Sequence, residues 1–154
     1  MKIGIKKIHE SEWLIHIGCA SVKVDQFSLA LLEITLEHLL ALEHGEAHST
    51  LHSYVKLGLK IKDLPDLECQ KLLRVVEVKD LLEFMLVAKD EALNELVLRN
   101  IGGILAKQLE KDLTLTPEPS DEHAKRAIRR IVEKIFELEY RGEIEFKTEQ
   151  TRYI

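Results

Sequence analysis

The run from Ser120 to Gly142 constrains this chain more than any other. Ala124, Ile128, Ile131, Val132, Ile135 and Leu138 recur at three- and four-residue steps, with charged residues filling the positions between them. That is the period of an α-helix with one core-facing stripe; a strand cannot place these residues on one face. Ser120 supplies an N-cap and Gly142 a stop, so the spacing predicts a helix over 121–141. Such a stripe needs apolar partners, and 114–119, Thr-Leu-Thr-Pro-Glu-Pro, separates it from everything upstream as the clearest linker in the chain.

Upstream the pattern is a series of short helices, predicted at 65–75, 79–87, 90–99 and 101–113. Asp66, Asp80 and Asp90 sit near the starts of three of them, where a carboxylate satisfies orphan amides and the helix dipole. The first 24 residues read differently. Ile3, Ile5 and Ile8 bracket lysines, Trp13 to Ile17 alternates before Gly18, and Val22-Lys23-Val24 is a third extended piece. These form an antiparallel meander, with Trp13 expected beneath it as the largest core residue. Asp25 caps a predicted helix over 26–44 that stops at Gly45, and a shorter one over 47–57 stops at Gly58. The 26–44 segment is apolar over more than one stripe, so it needs cover on a wide arc, from the meander and other helices or from a second copy of the chain. Glu143-Ile144-Glu145-Phe146 alternates like a terminal strand that pairs with the N-terminal sheet.

Aromatic residues are only 5% of the 154, against 45% hydrophobic and 32% charged, so the core is aliphatic. With 7 glycines and 3 prolines, this favours a mainly α chain with a small N-terminal β part. The division expected is a region of meander and two helices over 1–60, then a multi-helix domain over 61–154. A net charge of −5 provides no basic field for nucleic acid, and charges interrupt every apolar segment before it reaches the length of a membrane span. Met1 to Trp13 lacks the apolar run of a signal peptide. Cys19 and Cys69 lie in no CxxC, and are read as free thiols of a cytoplasmic protein.

Histidine offers the one alternative chemistry. His44, His48 and His52 are spaced four apart, but Gly45 breaks the helix, leaving His48 and His52 as a pair that needs a third ligand; the alternative function is a small metal-binding or metal-sensing protein using these two. HExxH, GxSxG and phosphate-cradling glycine loops are absent, so neither an enzyme nor a resident metal or cofactor is expected. Lys125, Arg126, Arg129, Arg130 and Lys134 on the last helix are interleaved with Glu122, Glu133, Glu137 and Glu139. That pattern is a solvated face of ion pairs rather than a phosphate-binding surface.

Three stretches carry a family resemblance. They are Cys69-Gln70-Lys71-Leu72-Leu73-Arg74-Val75-Val76-Glu77-Val78-Lys79-Asp80-Leu81-Leu82; Val97-Leu98-Arg99-Asn100-Ile101 with Leu109-Glu110-Lys111-Asp112-Leu113; and Ala127-Ile128-Arg129-Arg130-Ile131-Val132 with Glu139-Tyr140-Arg141-Gly142-Glu143-Ile144. In this order and spacing, residues 63–146 resemble the C-terminal helical domain of the bacterial flagellar motor switch protein FliG. The resemblance implies an armadillo-like helical fold, a protein partner in the motility machinery and no catalysis.

In that family a few charged side chains face the stator and generate torque. Here the corresponding positions are Leu86 or Val87, Ile104, Lys111 and Pro119-Ser120, and only Asp112 keeps the family's charge. A surface stripped and partly inverted in this way implies a different partner, since charge complementarity sets encounter and register. The contact residues expected are Lys107, Lys111 and Asp112, on an adaptor, scaffold or motility-related paralogue.

Overall fold

A computed structural model describes residues 1–41 and 49–146. The chain divides into two compact units, Met1–Ser53 and Tyr54–Ile154. It is mainly α with a small N-terminal β part, as the composition predicts.

The first unit opens with a meander of β1 (Ile3–His9), β2 (Glu12–Ile17) and β3 (Ala20–Asp25), all antiparallel and in sequence order. Ile5 pairs with Ile15 and Ile15 with Val22, so the alternation places the isoleucines on one face. Gly18 turns β2 into β3 at φ +61, a left-handed conformation that glycine adopts without strain. Ile15 is the buried centre of this sheet. Trp13 is not core: it is partly exposed at the pairing position of Lys7, whose ammonium lies 5.6 Å from the ring centroid. An indole under a cation is favourably placed while wet on one side, a contact that alternation alone does not reveal.

α1 (Gln26–Ala41) follows at once. Asp25 caps it, its Oδ1 accepting from the Ser28 amide at 2.7 Å. Phe27 and Ile34 are buried, but Leu36 and Leu40 are 50% and 86% exposed, so the wide-arc cover its sequence asks for is only partly supplied. The predicted end of this helix and the start of the next fall outside the described residues. α2 (Thr50–Gly58) crosses the boundary between the units.

The second unit continues through a 3₁₀ turn (Leu59–Asp63) to α3 (Asp66–Val75), α4 (Val78–Ala88), α5 (Glu91–Asn100), α6 (Gly103–Leu115) and α7 (Asp121–Tyr140). Its core lies where α4 packs on α7. Leu81, Phe84 and Met85 are buried on one helix, and Ala124, Ala127, Ile128 and Ile131 on the other. The alanines let the helices approach closely, while the larger side chains fill the space between. Asp90 and Ser120 cap α5 and α7 as their spacing predicts, accepting from Leu93 N at 2.9 Å and His123 N at 3.3 Å.

Gly58 marks how tightly this core closes. A Cβ there would sit 2.7 and 2.9 Å from the Phe84 ring, although the backbone at φ −63 is ordinary for any residue. Gly58→Ala is therefore expected to destabilise the protein by about 1–3 kcal/mol through overpacking, despite alanine's better helix propensity. Urea unfolding measures the difference; a neutral or stabilising alanine would contradict this packing.

Residues 143–146 correct the sequence reading, because they form no strand. The segment lies along α3, where Glu145 N donates to Glu68 Oε2 at 3.1 Å and Lys71 Nζ donates to the Glu143 carbonyl at 3.0 Å. Ile144 is the buried residue of this piece. One docked isoleucine and two side-chain bonds satisfy the backbone without a ladder.

Candidate protein-docking surface

α6 stands apart from its neighbours in what it leaves exposed. It spans 13 residues, and Leu109 is the only one buried. Ile104 is 88% exposed and Leu115 is 69% exposed. Lys107 and Lys111, one helical turn apart, are exposed between them. Asp112 is half-buried and accepts from Gln108 Nε2 at 2.9 Å, so its carboxylate is oriented within the helix. The three contact residues read from the sequence thus lie on one element, as a lysine pair and a fixed carboxylate. Leu86 and Val87 are half-buried on α4, while Pro119 and Ser120 serve the start of α7.

Gly102 sets the direction of this helix. It precedes α6 at φ +100, ψ 146, a region that side chains other than hydrogen populate only under strain. The glycine pair therefore does not weaken a helix interior. Gly102 turns the chain after α5, and Gly103 is the first helical residue, later than the predicted start at 101.

Beside the turn lies a cleft of about 440 Å³. Leu73, Arg74, Val76, Val78, Ile101 and Leu105 are among its lining residues, so α3, α5 and α6 all contribute to it. Leu105 is 46% exposed, so α6 presents an apolar side chain to the cleft as well as Ile104 and Leu115 on its outer face. A network missed in the sequence fixes the floor. Asp66 Oδ1 accepts from Asn100 Nδ2 at 2.9 Å and from Arg99 at 2.8 and 3.2 Å, and Gln70 Nε2 donates to Asn100 Oδ1 at 3.1 Å. The Asn100 amide and the Arg99 guanidinium hold Asp66 below the usual carboxylate range. The partners are thirty or more residues apart in sequence, so nothing local signals them.

A second cleft of about 360 Å³ lies over the α4–α7 contact. Asp80 and Arg130 line it, joined by bonds of 2.7 and 2.8 Å. Of the other α7 cations, Arg129 pairs with Glu133 at 2.8 Å, Lys134 with Glu137 at 3.2 Å and Lys125 with Glu122 at 3.7 Å, while Arg126 Nε donates to the Glu122 carbonyl at 3.3 Å. The solvated-face reading of these residues is the one the geometry carries.

His48 and His44 lie outside the described residues. His52 is exposed on α2, its ring centroid 5.2 Å from that of His38. Among the described residues there is no group of three or more histidine, cysteine or acidic side chains that could hold a metal ion. No helix among them is long and apolar enough to cross a membrane.

Both cysteines are free, Cys19 exposed and Cys69 buried on α3. Burial pushes the Cys69 thiol up to about 11, the nearby Asp66 carboxylate adding to the shift. A thiol-disulfide reagent at neutral pH is expected to titrate Cys19 promptly and Cys69 only on unfolding. Because the folded value is raised, the stability linked to Cys69 is complete below the unfolded pKa near 9 and is lost as pH rises through about 11. Equal reactivity of both thiols in the native protein would contradict the packing of α3.

The family description "FliG C-terminal domain" matches residues 59–146, more than half of the chain and nearly all of the described helical unit. No curated protein matches the chain, and no solved structure does. This is a family of structural and interaction domains of the flagellar motor switch, which agrees with the exposed α6 face and the resemblance in the three stretches. The chain belongs to the FliG C-terminal domain family.

Proposed function

We propose that the chain is a cytoplasmic, non-enzymatic adaptor that binds a protein of the motility machinery through α6 and the cleft beside it. One observation carries this reading: α6 keeps Leu109 alone in the core and leaves Ile104, Lys107, Lys111 and Leu115 on the surface. A helix with so little internal role but apolar residues outside has the form of a docking element. Ile104 and Leu105 supply apolar burial, Lys107 and Lys111 steer an acidic rim, and Asp112 penalises a mis-registered carboxylate. The partner is therefore a protein surface that is apolar at its centre and acidic around it. Ile104 occupies the family's torque-helix arginine position and Lys111 the first position of its aspartate pair, so the recognition differs from that of a rotor domain facing its stator.

The experiment is a quantitative pull-down of tagged full-length protein from its native cells, with wild type and variants run in parallel. Ile104→Glu, and Lys107→Glu combined with Lys111→Glu, are expected to reduce recovery of the principal co-purifying protein at least about tenfold. Far-UV circular dichroism should stay unchanged, because all three side chains are exposed. Equal recovery with every variant would overturn the α6 reading. An in-frame deletion that leaves cells flagellated but non-motile would replace the adaptor with a rotor part.

A further inference from the structure

We infer that the chain pairs with a second copy of itself through its N-terminal unit, along the outward face of α1. This rests on residues separate from α6, so neither proposal depends on the other.

α1 carries two apolar stripes. Phe27, Leu31, Ile34 and His38 recur at helical steps, with Phe27 and Ile34 buried and the other two half-buried. Leu29, Leu32, Leu36 and Leu39 recur at alternating steps of three and four, the a/d spacing of a helix-pairing seam. At about 100° per residue, the centre of the second stripe lies roughly 150° around the helix from the first. A helix that only caps its own sheet carries polar residues there. Here Leu32, Leu36, Leu39 and Leu40 are 36, 50, 45 and 86% exposed.

The apolar face of the sheet is a separate surface. Ile3 pairs with Ile17, and Ile5 and Val22 flank Ile15, so these residues share one face by register. Ile15 is buried at its centre, while Ile3, Ile5, Ile17 and Val22 are 50 to 67% exposed. Ile15 is buried on this same face, so it is the covered side of the sheet, and the leucine seam of α1 stands apart from it.

The flanks of the seam favour a copy over a foreign helix. Among Ser28, Glu33, Thr35 and Leu40, Glu33 is the only charge. Two parallel copies with their leucines in register set Glu33 beside Ser28 and bring no like charges together, whereas an antiparallel pair would set Glu33 against itself, so the helices run parallel. A foreign helix is normally selected by charges at these positions, and this seam offers almost none. A leucine row set against itself is the self-complementary arrangement a two-fold axis requires.

Sedimentation equilibrium of the full chain tests this. The expected particle has twice the 17.7 kDa chain mass at micromolar concentration. Leu36→Glu should return it to the single-chain mass with helicity retained, whereas Ile104→Glu on α6 should leave the pair intact. Should Leu36→Glu precipitate, Leu36→Ser combined with Leu39→Ser decides, with an expected weakening of self-association of at least about tenfold. A wild-type chain that stays at the single-chain mass at hundreds of micromolar overturns the inference. So does a pair that survives the seam variants, or one that Ile104→Glu separates.

Discussion

Phe84→Ala is expected to lower the unfolding free energy by about 3–5 kcal/mol. Phe84 is fully buried on α4, with its ring against Gly58 at the end of α2 and with α7 across the core. Because Gly58 has no Cβ, backbone on that side limits how far the site can collapse around the missing ring. The cavity term should therefore stay near the upper part of its range. Phe84→Leu refills much of the space and should cost about 1–2 kcal/mol. Denaturant unfolding of both variants checks the pair. A Phe84→Ala chain within 1 kcal/mol of wild type would mean that α4 does not form the centre of this unit.

The second large effect comes from an asymmetry in the Asp80–Arg130 pair. The Asp80 side chain is only 4% exposed, while that of Arg130 is 53% exposed. The two carboxylate oxygens accept from Nε and Nη2 of the same guanidinium, which is the bidentate geometry that only arginine provides. Asp80 also raises the pKa of Arg130, chiefly through those bonds.

Arg130→Ala leaves a buried carboxylate without its partner. The expected loss is about 2–3 kcal/mol, below the figure for a fully buried pair because water reaches the arginine side. Asp80→Ala leaves a cation that can turn into solvent, so its cost should be nearer about 1 kcal/mol. Arg130→Lys keeps the charge but loses the fork, and falls between the two. The order Arg130→Ala, then Arg130→Lys, then Asp80→Ala in decreasing cost is the signature to look for; the reverse order would mean that the pair is solvated on both sides.

These residues also mark where sequence reading succeeds and where it stops. α7 was legible from end to end because its period, its cap at Ser120 and its glycine stop all agree. The meander was legible for the same reason: alternation and turn residues point the same way. The 3₁₀ turn at Leu59–Asp63 was not, since five residues with no capping bond carry too little periodic signal. Glu143 to Phe146 alternates like a strand, yet a single docked isoleucine and the Glu68 carboxylate decided its fate.

The site shows the same division. Lys107 and Lys111 could be placed on one exposed face because the helical period alone settles that. The cleft beside them could not, because its walls come from α3, α5 and α6, and its floor rests on Asp66 reaching Arg99 and Asn100. Asp80 reads as a helix-start carboxylate, but its partner lies fifty residues on, a contact that only the packing of α4 against α7 brings about.

The most direct test of the central claim, that a FliG C-terminal domain scaffold here presents α6 as its docking face, is a hydrogen-exchange footprint. The full chain would be compared alone and with the protein it retrieves from its native cells. Slowed exchange concentrated in residues 101–115 and at 73–78, with α7 unchanged, is the predicted result. Protection confined to α7 or to the cleft over Asp80 and Arg130, with α6 exchanging as freely as before, would contradict it.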